Sequence, residues 1–165
     1  MESPPTNPFA TLGLPERFDL SRTAIERASL TRLAGVHPDR SQDDARRAAE
    51  INDARRRLLD PEQRANAVLA AIGGPSAAES KQLPDGFLAS IMTARMQLEE
   101  DADSGDPARI GRWHRWAEEE RQAYINRAAA AFEQGEDPGE IRAMLNAWRY
   151  IERLREQLPD EPADR

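Results

Sequence analysis

The chain has no cysteine. Disulfides, thiolate metal sites and a cysteine nucleophile are thereby excluded. Histidine is almost as scarce: only His37 and His114 occur in 165 residues, and neither belongs to a nucleophile–base pattern. No glycine-rich loop is suited to cradling phosphate. No apolar run approaches the roughly 20 residues that cross a bilayer, and no charged-then-apolar leader opens the sequence. Strand-type alternation is missing as well. Lysine is reduced to Lys81 among 23 basic residues, which we read as a base-composition bias rather than chemistry. These gaps predict a helical, cytoplasmic protein that is not an enzyme and uses no cofactor or metal.

The chain is rich in charge, unevenly placed. Residues 1–72 hold 11 arginines against 11 acids, whereas residues 73–165 hold 12 basic residues against 19 acids, which accounts for the whole formal −7. An acidic second half argues against nucleic acid and anionic membrane as partners. The Arg55-Arg56-Arg57 run does not reverse this, because Asp53 and Asp60 flank it and three residues make no extended stripe. The carboxylates lie in helix-terminal and solvent-facing runs such as Glu118-Glu119-Glu120, which suits a solvated face better than a metal cluster. His114, beside two tryptophans, is read as a surface or boundary residue.

His37-Pro38-Asp39 interrupts a helical pattern. Proline fixes its own φ and disfavours helix for His37, so the chain breaks there and presents an imidazole and a carboxylate, with Arg40 next. Upstream, Asp19 or Ser21 caps a helix with an apolar stripe of Ile25, Leu30 and Leu33 and arginines at Arg22, Arg27 and Arg32. Downstream, Asp43 and Asp44 occupy a helix N-terminus, where negative charge is favourable. Ala48, Ile51, Ala54 and Leu58 then share one helical face. Asp60-Pro61 ends that helix and opens another, as cap and first residue.

With Ala49-Glu50-Ile51-Asn52-Asp53-Ala54 and Leu59-Asp60-Pro61-Glu62-Gln63-Arg64-Ala65, this order resembles a J-domain. The opening Asn7-Pro8-Phe9-Ala10-Thr11-Leu12-Gly13-Leu14-Pro15-Glu16-Arg17-Phe18-Asp19-Leu20 narrows the likeness to the HscB family of iron–sulfur co-chaperones, and the resemblance runs from about Asn7 to Leu158.

Gly73-Gly74-Pro75-Ser76 and Leu83-Pro84-Asp85-Gly86 break any helix, so residues 75–84 read as a linker. Three helical patterns follow, over about 85–101, 106–134 and 137–158. Asp106-Pro107 and Asp137-Pro138 repeat the cap-and-proline opening. Short connections predict a three-helix bundle. The expected layout is therefore all-α and L-shaped: a J-domain over 7–74, a linker over 75–84, a bundle over 85–158, and disordered ends before Pro8 and over 159–165.

Ile110, Trp113, Ala117 and Tyr124 fit one buried face of the second bundle helix; Ile141, Leu145, Trp148, Ile151 and Leu158 fit one of the third. The first has two apolar faces. Phe87, Ile91, Ala94 and Leu98 make a narrow core stripe, while Leu88, Met92 and Met96 make a second one, rotated away. That second stripe either packs on the J-domain or a neighbouring helix, or forms a methionine-rich recognition surface. At about 100° per residue, Tyr150 lies off the Trp148 stripe and faces elsewhere.

The family resemblance implies roles for these residues. The loop His37, Pro38, Asp39 and Arg40, with Arg27 and Arg32, would dock on a DnaK-type, HscA-like ATPase chaperone and speed its ATP hydrolysis. Leu88, Ala89, Met92, Met96, Glu99 and Tyr150 would hold an IscU-like iron–sulfur scaffold. Departures from the family pattern fall at Thr93 and Met96, usually glutamates, at Ala89, usually methionine, and at Ser29, usually aromatic. Glu99 and Glu100 remain on the following turn. Arg40 is often a lysine, so charge is kept there but geometry is not. Two alternatives stay open: a J-protein with another client, and a helical adaptor whose loop is inert.

Overall fold

The computed structural model describes residues 7–36 and 41–160. Among them the chain forms seven α-helices and no strand. It divides into two compact units, residues 1–74 and 75–165. The expected loop at His37, Pro38, Asp39 and Arg40 lies outside the described residues, as do the chain ends 1–6 and 161–165.

The first unit opens with a helix not foreseen, α1 (Pro8–Leu12). Asn7 Oδ1 accepts from the backbone N–H groups of Phe9 and Ala10, Pro8 supplies the preset φ of a first turn, and Gly13 ends it at φ +69°. Phe9 and Leu12 are buried. Helix α2 (Arg22–Leu33) is capped by Ser21, whose Oγ accepts from Ala24 N at 3.1 Å; Asp19 instead pairs with Arg17. Its core face is Ile25 and Ser29. The expected stripe through Leu30 is wrong: Leu30 is 67% exposed. Five residues past Ile25 puts it about 140° around the helix, whereas Ser29 lies about 40° away.

Helix α3 (Gln42–Leu59) starts on Ser41, whose Oγ accepts from Asp44 N, and buries Ile51, Ala54 and Leu58. Arg55 crosses to α2 and donates two hydrogen bonds to Glu26, at 2.6 and 2.7 Å. Helix α4 (Pro61–Ala71) begins on Asp60, which accepts from Gln63 N at 2.9 Å. Arg64 donates to the carbonyl of Leu58 at 2.6 Å and lies over the Phe18 ring, 5.1 Å from its centroid.

The second unit contains α5 (Phe87–Ser104), α6 (Pro107–Gln134) and α7 (Pro138–Glu156). Asp106 and Asp137 accept from the first N–H groups of α6 and α7. Gly105 and Gly135, both at φ +65°, end α5 and α6. Helix α5 starts two residues later than expected because Gly86, at φ +74°, precedes it without a side-chain cap. The stretch before it is anchored: Asn146 of α7 donates to the carbonyls of Ser80 and Gln82, at 3.0 and 2.9 Å.

The bundle core gathers Ile91, Leu98, Tyr124, Ala128, Ile141, Leu145, Trp148 and Ile151, all buried. Fully burying one such large side chain is worth about 1.5–3 kcal/mol. Tyr124 stacks on Trp148, with centroids 6.1 Å apart. Burial pushes the Tyr124 hydroxyl above its usual pKa. Glu152, also buried, accepts from Trp148 Nε1 at 2.9 Å and from Arg121 at 3.0 Å, and Arg155 pairs with it at 3.1 Å. A buried charge is tolerable when its hydrogen bonds are met. Phe87, Ala94, Trp113 and Leu158, expected in the core, are only half-buried. Leu158 falls beyond the end of α7, and Trp113 turns its Nε1 to Asp101 Oδ2 at 3.0 Å. No helix among the described residues is long and apolar enough to cross a membrane.

Candidate functional site

Helices α5 and α7 enclose a groove of about 380 Å³. Its floor is Ile91 and Leu98 from α5 and Leu154 from α7, all buried. Its rim carries Leu88, Met92 and Tyr150. The rim residues are 50%, 60% and 40% exposed, and Met96, 70% exposed, extends the stripe one turn beyond.

The geometry follows from helical periodicity. Leu88, Met92 and Met96 are spaced by four, so they climb one side of α5. Ile91 and Leu98 occupy the side turned to α6 and α7. Tyr150 is not free-standing: its ring meets Phe87 edge-on, with centroids 5.8 Å apart and planes at 71°. That contact ties the rim of α7 to the start of α5. Glu99 lines the groove and meets Arg95 at 3.4 Å. Ala89, although exposed on the same helix, does not line it.

The basic residues assigned to chaperone docking do not form one patch on α2. Arg27 and Arg32 are both exposed, but five residues separate them, about 140° around the helix. Arg32 lies with its guanidinium against Gly13, where any side chain would collide with it. Leu30 was missed as a surface residue; correct 100° spacing from Ile25 would have found it. Arg153, three residues after Tyr150, was also missed, though that spacing places it on the groove side of α7.

Electrostatically, the carboxylates nearest the groove are satisfied. The Trp113 N–H, then Arg109, hold Asp101 below the usual carboxylate range. No group of three or more His, Asp or Glu able to hold a metal occurs among the described residues. The site offers apolar surface with a few charges at its edge.

Residues 83–159, which include every residue that lines the groove, match the family described as the HSCB C-terminal oligomerisation domain. The co-chaperone protein HscB homolog of Bordetella petrii is 30% identical over 159 residues, spanning 91% of this chain and 92% of that protein. The chain belongs to the HscB co-chaperone family. The HscB homolog of Mannheimia succiniciproducens is 28% identical and covers 96% of this chain and 98% of its own. Two HscB structures share the fold. Human co-chaperone HscB gives a TM-score of 0.76 at 21% identity over 95% of this chain and 82% of that one. The chaperone HscB from Vibrio cholerae gives 0.77 at 23% identity, over 93% and 95%. The all-α architecture is thus the HscB one, an N-terminal J-domain followed by a C-terminal helical domain.

Proposed function

We propose that this HscB-family chain is a co-chaperone of iron–sulfur cluster assembly. It stimulates the ATPase of a DnaK-type, HscA-like chaperone and delivers an IscU-like scaffold to it, in the cytoplasm. The observation that carries this reading is the full-length match to HscB homologues, together with His37-Pro38-Asp39 between α2 and α3.

Residues 7–74 are assigned chaperone docking, through the loop, Arg40, Arg27 and Arg32. Residues 85–158 are assigned scaffold binding, through Leu88, Ala89, Met92, Met96, Glu99 and Tyr150. Supporting the second assignment, Leu88, Met92 and Met96 form a continuous exposed apolar stripe beside a groove, a feature that marks protein interaction sites. Methionine side chains adapt to an irregular partner surface. The chain does no chemistry of its own in this reading. Its loop favours the hydrolysis-competent arrangement of the chaperone over the resting one, and that difference in affinity drives the change.

The test is steady-state ATP hydrolysis by the HscA-like chaperone with Asp39→Ala. A carboxylate can pair with a partner's cation while adding little to its own fold. Stimulation should vanish with unchanged helical circular dichroism; undiminished stimulation would remove the J-domain assignment.

A further inference from the structure

The groove between α5 and α7 holds one cation that the chain itself does not answer. Arg153 is exposed and lines the groove, and no ion pair or hydrogen bond joins its guanidinium to any described residue. The acids that flank it on α7, Glu152 and Glu156, and the groove's own Glu99 each pair with another arginine. Arg149 pairs with Glu156 at 3.1 Å, Arg155 with Glu152 at 3.1 Å, and Arg95 with Glu99 at 3.4 Å. The groove lining therefore carries a net positive charge, in a segment that is strongly acidic overall. Arg153 shares the groove lining with the buried Leu154 and Leu98, so a partner seated there would displace water from around the guanidinium. A charge pair formed under those conditions is stronger than one in open solvent.

We propose that Arg153 is a specificity residue of the scaffold-docking surface: the apolar ridge that seats in this groove brings a carboxylate to the Arg153 guanidinium. This rests on the scaffold-binding reading above and adds the charge of the partner to it. Apolar contacts at Leu88 and Met92 supply area with little discrimination. One cation at the groove edge selects partners that place an acid there and penalises those that place a base. A planar guanidinium also fixes orientation, because it meets a carboxylate through two parallel hydrogen bonds.

The experiment is calorimetric titration of the full-length protein with the purified IscU-type scaffold of the same organism. Parent, Arg153→Glu, Arg153→Gln and Arg153→Lys are compared with Leu88→Ala and with Arg115→Glu, an exposed α6 arginine outside the groove. Arg153→Gln should weaken binding about tenfold and Arg153→Glu more, with Lys intermediate. Arg115→Glu, which changes the net charge equally, should leave affinity unchanged. An Asp or Glu→Lys change on the scaffold face should restore binding to Arg153→Glu. Thermal melts matching the parent show that the variants are folded.

Normal affinity of Arg153→Glu and Arg153→Gln, with Leu88→Ala weakened, overturns the role of Arg153 and leaves the scaffold reading standing. No binding by the parent overturns both. Self-association of the protein alone that Arg153→Glu abolishes would assign the groove to a second copy of this chain, and would overturn the proposal.

Discussion

Helix α5 allows a test in which only the face of the helix changes. Leu88→Ala, Met92→Ala and Met96→Ala truncate its exposed side; Ile91→Ala and Leu98→Ala truncate its core side, where the residues are 8% and 7% exposed. All five changes go to alanine, so helix propensity is not lowered in either set. The exposed set should cost little, since surface truncations usually fall within about 0.5 kcal/mol each. Each core truncation should cost about 2–5 kcal/mol through lost burial and the cavity left behind. Two together approach the entire stability of an ordinary domain, about 5–15 kcal/mol. Tyr150 is left intact because its edge-on contact with Phe87, of a kind worth about 0.5–1.5 kcal/mol, would blur the comparison. Urea unfolding followed by tryptophan fluorescence is the assay. Trp113, Trp116 and Trp148 are the only tryptophans and all lie in the second unit, so the signal reports that unit alone. Scaffold titration on the same samples should show the exposed set binding poorly while remaining folded. An exposed set that lowers the midpoint as much as the core set would refute the assignment of faces.

Two further predictions concern single residues. Ser29 Oγ is buried without a hydrogen-bond partner, so Ser29→Ala should raise the stability of the first unit by about 1 kcal/mol; a fall in its thermal midpoint by circular dichroism would contradict this. Asp101 has a folded pKa held below its unfolded one, by Trp113 first and Arg109 next. Its stabilising contribution is thus present above the usual carboxylate pKa of about 4 and is lost as pH falls through the folded value. The tryptophan-monitored midpoint should drop in that acid window, and Asp101→Asn should flatten the drop; an identical slope in the variant would be the adverse result.

Helix beginnings were legible because capping is local. Asp60-Pro61, Asp106-Pro107 and Asp137-Pro138 each place an acceptor and a preset φ within two residues, and each opens a helix where expected. Asn7-Pro8 has the same form, yet α1 was missed because five residues are too few to show periodicity. Leu30 was misread because hydrophobicity was weighed above angle, while Ser29, a polar residue, took the core position. Burial of Arg142 and Glu152 was illegible: it depends on helix α7 being enclosed over most of its circumference, and for Glu152 on Arg121 arriving from α6. The second apolar stripe of α5 was readable from spacing, but its exposure was not, and neither was the groove, since Leu154 and Arg153 join it only through packing between helices.

The central claim is that one chain couples scaffold delivery to ATP hydrolysis. Single-turnover hydrolysis by the HscA-like chaperone tests it directly, measured with the protein, with the IscU-like scaffold, and with both. Together they should stimulate more than the product of their separate effects, and the Leu88, Met92 and Met96 triple variant should keep its own stimulation but lose that excess. Separate effects that merely multiply, with the triple variant indistinguishable from the parent, would contradict the account.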